Sequence, residues 1–222
     1  MKPVDLFGGF LSLYKGCVIM PQYFEKNENL IEKPMIVKYE FLGKSFSLHT
    51  NTGVFSKDKI DDGTYAFLKV LVPRHLSGKI LDVGCGYGAL GLTLASFEPE
   101  AYFTLIDVNE RALELCKKNI KSLNLNNVTC LQSDIYQNVE GLFNSIVINP
   151  PIRAGKKVIY SMFAGAYDHL IDGGSLFIVI RKSHGAHSAC DYITSIFGSC
   201  TLLKKDKGYY IYESKKMNKE NL

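Results

Sequence analysis

The sequence predicts an α/β fold, a mostly parallel seven-stranded sheet covered by helices on both faces, with one antiparallel strand near the edge. Three observations carry this. From Lys79 onward, short apolar runs alternate with runs of helical spacing. A glycine-rich turn sits where the first such strand meets its helix. The chain then closes on two strand-like runs joined by a turn too short for a crossover, so those two strands must be antiparallel.

Taken in order, Met35 to Thr50 alternates and breaks at Gly43-Lys44, which reads as a small N-terminal β-hairpin. Asn51 to Gly63 is loop-like, and Thr64 to Val72 is helical until Pro73 stops it. Strands are expected over 79–84, 101–108, 128–134, 143–149 and 175–182. Helices are expected over 89–97, 110–123, 157–171 and 188–197, the second with an apolar face of Ala112, Leu115, Cys116 and Ile120. Residues 199–214 supply the closing pair of strands. Parallel neighbours joined through helices imply right-handed crossovers.

With 222 residues and 46% hydrophobic content, one core accounts for the chain. The expected division is 20–63 as hairpin and covering loop, 64–214 as the main domain and 215–222 as a flexible tail. Residues 1–19 read as an upstream extension ahead of a start at Met20, because Asp5 and Lys15 spoil a signal peptide and Phe7 to Ile19 is too short to span a bilayer. A net charge of +4 permits an anionic partner without requiring one. Six cysteines without a C-x-x-C pair or ligand-like spacing to histidine argue against a metal site or disulfides, and for a reducing cytoplasm.

The stretch Ile80 to Gly91, ILDVGCGYGALG, narrows the function. Gly84, Gly86 and Gly88 let a ligand approach backbone at the strand–helix turn, and Asp107 ends the next strand 19 positions after Gly88, where an acid can hold ribose hydroxyls. The loop alone also satisfies a dinucleotide fingerprint. Asp82 separates the two readings: a carboxylate beside the loop repels pyrophosphate but suits the sulfonium and ammonium of S-adenosylmethionine. The pattern D-x-G-x-G-x-G with a later acid resembles a class I, Rossmann-like methyltransferase. Asp134, closing the third strand, either accepts from the adenine amine or caps the following turn.

Asn149-Pro150-Pro151 ends the fourth strand, where two prolines terminate pairing. An exocyclic base amine is a poor nucleophile because its lone pair is delocalised. Two acceptors, the Asn149 side-chain oxygen and the Pro150 carbonyl that proline fixes in place, can hold its N–H bonds and favour a pyramidal geometry. Ile152 stands where DNA adenine and protein-glutamine methyltransferases commonly have Tyr or Phe; it packs against a flat substrate without offering a π face, and this departure from their pattern argues against those two classes.

Further segments extend the resemblance. LDVGCGYGALGL, LIDVNERALELCKKN, SDIYQNV, NPPIRAGKKV, GAYDHLIDGGSLFIVIRKS and KDKGYYIY together are similar to the catalytic domain of bacterial 16S (small-subunit) ribosomal RNA guanine-N2 methyltransferases, over about Met20 to Ser214. QYF and TGVFSKDKIDDGT match the same family's N-terminal segment. The resemblance implies S-adenosylmethionine as cofactor. It places Asp82, Gly84, Cys85, Gly86, Gly88, Asp107, Val108, Asp134, Ile135 and Asn149 around the cofactor, with Phe55, Ser56 and Thr64 covering it. Phe55 as core and Thr64 as a helix cap are the plainer alternatives. It also implies that Asn149, Pro150, Pro151 and Ile152 receive the base. Arg153, Lys156, Lys157, Arg181 and Lys182 then face ribosomal RNA or the small subunit, or else form a solvated basic surface. Two-domain family members carry a degenerate half before the catalytic one, and 222 residues are too few to include it. A monomer or weak dimer without membrane or metal is expected. Protein-glutamine methylation, a non-catalytic RNA-binding module and a nicotinamide oxidoreductase are the competing readings.

Overall fold

The computed structural model describes residues 34–51 and 59–217. Phe55, Ser56, the segment 1–19 and the end of the tail lie outside the described residues. Seven strands form one sheet: β3 (Lys79–Val83), β4 (Tyr102–Asp107), β5 (Val128–Gln132), β6 (Phe143–Ile148), β7 (Leu170–Arg181), β8 (Thr201–Asp206) and β9 (Tyr209–Lys215). Their order is β5-β4-β3-β6-β7-β9-β8. All neighbours pair in parallel except β9, which runs antiparallel to both β7 and β8. That is the expected single reversed strand, one place in from the edge. A separate hairpin, β1 (Pro34–Phe41) and β2 (Lys44–Asn51), precedes the sheet.

Alternation along the strands divides the core in two. Val147, Phe177, Val179 and Ile211 face one way, against α1 (Asp62–Leu71), α2 (Ala89–Phe97) and α3 (Glu110–Ser122). Ile146, Ile148, Leu176, Ile178 and Ile180 face the other way, against α4 (Lys156–His169) and α5 (Ala186–Phe197). The central strands β6 and β7 are apolar on both faces because both are covered.

The hairpin lies on the side of α1 to α3. Phe41 meets Tyr65 of α1 and Phe97 of α2 edge-on, with centroids 5.4 and 5.8 Å apart. The Tyr39 hydroxyl bonds the Thr93 hydroxyl at 2.5 Å. Asn119 of α3 is fully buried: its Oδ1 accepts from His49 N at 2.7 Å, and its Nδ2 donates to His49 O and Tyr87 O at 3.0 and 2.9 Å. One amide thus ties hairpin, helix and glycine loop together.

Several boundaries move. α1 starts at Asp62 because Asp61 caps it, accepting from Thr64 N at 2.9 Å. On α3 the fully buried positions are Ala112, Leu113, Cys116 and Asn119, while Leu115 and Ile120 are only half-buried. β7 begins at Leu170, directly after α4, instead of at 175. Lys215 and Lys216, expected in the tail, are held: Lys215 pairs with Ser175, and Lys216 exchanges backbone bonds with Gly173 and Gly174.

Asn119→Ala strips partners from three backbone groups, so it should destabilise the fold by roughly 2–4 kcal/mol. Urea unfolding measures this; a loss below about 1 kcal/mol would mean water replaces the amide without cost.

Candidate active site

The strands β3, β4, β6 and β7 all deliver their carboxyl ends to one edge of the sheet, and three contiguous cavities lie along it. The first is lined by Gly84, Asp107, Val108, Asp134, Ile135 and Pro151, with Met162 and Val158 of α4 as an apolar wall. The second joins Asp82, Gly84, Cys85, Gly86, Thr64, Asn149 and Pro150. The third, about 340 Å³, lies between Asn149, Pro150, Ile152, Arg153, Arg181, His184 and Tyr209. Gly84 and Pro151 border the first two, and Asn149, Pro150 and Asp61 border the last two, so the three form one cleft.

Two buried acids shape the glycine loop. Asp107, 4% exposed, accepts from Gly86 N through Oδ2 at 2.9 Å and from Asn109 N through Oδ1 at 2.8 Å. The Val108 backbone also bonds this carboxylate, which leaves it one lone pair for a further donor. Burial raises the Asp107 carboxyl above its ordinary range despite those bonds. Asp82, 1% exposed, accepts from Gly91 N in the first turn of α2 at 3.0 Å. Burial pushes its carboxyl up to about 7, the Gly91 bond opposing and the charge of Asp107 assisting. Gly91 is obligatory here: a Cβ would lie 2.8 Å from Asp82 Oδ2 and 2.9 Å from Leu105.

Gly86 has φ +56 and nothing within 4 Å of where a Cβ would stand, so the loop exposes bare backbone to the cleft. Gly88 differs. It is the N-cap of α2, lines none of these cavities, and a Cβ there would strike Leu92 and Cys116. Its Cα is packed against these two side chains. Asp134 is exposed and its carboxylate accepts no bond among the described residues; a backbone carbonyl, Asp134 O, serves the following turn instead. Ile135 holds φ +51, a strained setting for a β-branched residue, on the wall of the first cavity.

The Asn149 side chain is fixed by its neighbours. Its Nδ2 donates to Asp61 Oδ2 at 3.1 Å and to Thr64 Oγ1 at 2.9 Å. An ionised carboxylate can only accept, so the end of the amide facing Asp61 must be the nitrogen. That leaves Oδ1 as an acceptor free of partners among the described residues, on a side chain that borders the second and third cavities. The Pro150 carbonyl likewise receives no donor among the described residues, whereas the Pro151 carbonyl is consumed by Ala154 N at 2.9 Å. Two open acceptors therefore stand side by side at the end of β6.

Thr64 serves as both helix residue and site residue, and Asp61 joins it unpredicted. The only trace of Asp61 in sequence is its cap position three residues before Thr64. Tyr209, His184, Met162 and Val158 were also absent from the sequence reading. Of the basic residues, Arg153 and Arg181 line the third cavity. Lys156 borders a separate cavity beside Tyr160 and His184, with its ammonium 4.9 Å from the Tyr160 ring centroid. Lys157 and Lys182 are exposed and border none of these cavities. No group of three His, Cys, Asp or Glu among the described residues could hold a metal. No described helix is long and apolar enough to cross a membrane.

Residues 45–213 match the family described as the methyltransferase small domain. A Bacillus subtilis protein, YbxB, is 39% identical over 197 residues, covering 88% of this chain and 98% of its own length. The ribosomal RNA small subunit methyltransferase C of Erwinia tasmaniensis is 34% identical over 77% of this chain but 49% of its own length. The chain thus spans about half of that relative. Among solved structures, a Thermus thermophilus 16S rRNA N2 G1207 methyltransferase in complex with AdoMet and guanosine aligns with a TM-score of 0.75 at 26% identity, over 82% of this chain and 50% of that one.

Asp82 predicts a pH signature of the protein free of ligand. Below pH about 4 the carboxyl is protonated both folded and unfolded, so its burial carries no charge penalty. As pH rises towards 7 the unfolded chain ionises freely while the folded one resists, so stability falls across this window and then levels. Urea unfolding from pH 4 to 8 should show wild type losing stability relative to Asp82→Asn over that span. A difference independent of pH would remove Asp82 as the cause.

Proposed function

This chain belongs to the methyltransferase small domain family, and on that premise we propose that it transfers a methyl group from S-adenosylmethionine to the exocyclic N2 amine of a guanine in small-subunit ribosomal RNA. The observation that carries the reading is the Asn149 amide, turned by Asp61 and Thr64 so that its oxygen stands free beside the free carbonyl of Pro150.

The cleft suits S-adenosylmethionine on its own chemistry. An apolar slot between Val108, Ile135, Val158 and Met162, with the Asp134 carboxylate beside it, fits adenine and its amine. Asp107 has a lone pair to spare for a ribose hydroxyl. Asp82 and the bare backbone at Gly86 line the second cavity, where a cationic amino-acid moiety would draw Asp82 towards its ionised form. A pyrophosphate between two buried carboxylates would be repelled instead. When bound, the cofactor supplies an electrophilic methyl group on a sulfonium.

The chain's own residues then do three things. Asn149 Oδ1 and Pro150 O accept the two N–H bonds of the amine, which restores lone-pair density to nitrogen and fixes its direction. Neither acceptor ionises at neutral pH, so the proton released on alkylation leaves to solvent. Pro151 and Ile152, the latter 37% exposed on the cavity wall, exclude water from one side of the base without stacking on it. Arg153 and Lys156 near this wall, with Lys157, Arg181 and Lys182 around it, are the contacts we assign to RNA. The Arg153 and Arg181 side chains also weigh against a peptide glutamine in the same cavity. The relatives named for small-subunit ribosomal RNA support the substrate class, and the Thermus protein, solved with guanosine, supports the base.

Labelled methyl transfer to ribosomal RNA from cells lacking this protein, followed by nucleoside analysis, should yield N2-methylguanosine. Methylglutamine on a protein, or no labelled nucleoside, would overturn the reading. Asn149→Ala should lower kcat on the order of 10²- to 10³-fold while S-adenosylhomocysteine still binds. Asp61→Ala loses a helix cap, costing about 1 kcal/mol of stability, and releases the Asn149 amide. Its kcat should therefore fall by at least about tenfold with cofactor affinity retained; unchanged kcat would show that the amide needs no clamp.

A further inference from the structure

We propose that Arg181 reads the O6 and N7 edge of the target guanine, so that this side chain selects the base instead of gripping a phosphate. The inference rests on the guanine-N2 reading above and names the residue that makes the site specific.

The placement follows from strand parity. Val147 and Val179 face α1, and β6 and β7 run in parallel register with Ile148 beside Ile178. Asn149 and Arg181 therefore project to the same side of the sheet, at the mouth of the same cavity. One strand spacing and two residues of rise separate their Cα atoms, roughly 8 Å. Tyr209 pairs directly with Arg181 across β7 and β9, and the guanidinium lies 5.6 Å from its ring centroid. The ring is itself located by Gly63, where a Cβ would come within 2.7 Å of Tyr209 Cε1. Arg181 forms no ion pair with a carboxylate among the described residues. Arg153, the other guanidinium on this cavity, sits in a single 3-10 turn, with no aromatic ring beneath it among the described residues.

The chemistry is one of complementary edges. Asn149 and Pro150 present acceptors, which suit any amine. Arg181 presents a fork of donors, which suits two acceptors side by side. Guanine carries both sets, an N2 amine and, on its other edge, O6 with N7. Replacing O6 by an amine sets donor against donor and leaves a guanidinium without its partners, a mismatch that binding sites built on hydrogen bonds reject strongly.

The test compares two synthetic RNAs spanning the mapped nucleotide, one with guanosine and one with 2,6-diaminopurine riboside there. Both carry the same N2 amine. Wild type should favour guanosine in kcat/KM on the order of 10- to 100-fold, and Arg181→Met should bring the ratio close to one. Arg181→Lys keeps the charge but loses the fork, so it should also relax the ratio while keeping the salt dependence of binding. A variant that retains the wild-type ratio overturns the inference. So does an equal loss on both RNAs with a salt slope reduced by about one, the mark of a phosphate contact. Failure of wild type to methylate either RNA would instead sink the parent reading, and this one with it.

Discussion

The site depends on which way one carboxamide points. The two ends of the Asn149 side chain have nearly the same shape, so packing alone cannot tell oxygen from nitrogen. Asp61 can, because a carboxylate offers no proton, and Thr64 supplies the second acceptor at 2.9 Å. Both belong to the start of α1, ahead of the strands that carry the cofactor cleft. The capping of α1 and the orientation of the Asn149 amide are therefore one event, since Asp61 Oδ2 accepts from Thr64 N and from Asn149 Nδ2 alike. The segment before β3 thus sets the orientation of a side chain in the cleft, and the hairpin is anchored nearby through Asn119 and through Phe41, which packs on Tyr65 of the same helix.

The parallel strands, the glycine turn and the reversed strand were legible in the sequence because each is encoded locally. Alternating apolar runs, helical spacing and turns too short for crossovers leave few topologies open. The cleft was legible for a related reason: strand ends at a carboxyl edge collect residues that are far apart in the chain, and Asp82, Gly84, Asp107, Asp134 and Asn149 all close strands or follow them. Asp61 and Tyr209 escaped because their contacts are long-range and between side chains, Asp61 to Asn149 across 88 positions. Gly88 shares the loop's spacing, yet its Cα faces Leu92 and Cys116, and both the crowding there and the handedness of the cap demand glycine. Asn119 was underread for the opposite reason, since a polar residue on a helix suggests solvent until the backbone groups it satisfies are known.

Burying two carboxylates at a glycine loop has a cost that the fold itself does not recover. The bonds from Gly86, Asn109 and Gly91 favour the ionised forms, but burial outweighs them and both carboxyls sit above their ordinary range. Such an arrangement persists when its purpose lies in what it binds. A cation without phosphates relieves the penalty, whereas a nucleotide diphosphate increases it. Discrimination against dinucleotides is thus built from desolvation as much as from contact.

The other end of the cleft has the opposite character. Past Asn149 and Pro150 the wall turns to Arg153, Arg181 and His184, with Tyr209 beneath Arg181. The cleft therefore changes from acceptors to donors within the width of two strands, and the prolines stand at the change. A side chain that ionised there would be drawn towards one end or the other and would lose its setting. Asn149 and the Pro150 carbonyl carry no charge to be drawn, so on the proposed reading they would hold an amine between the acidic end of the cleft and its basic end.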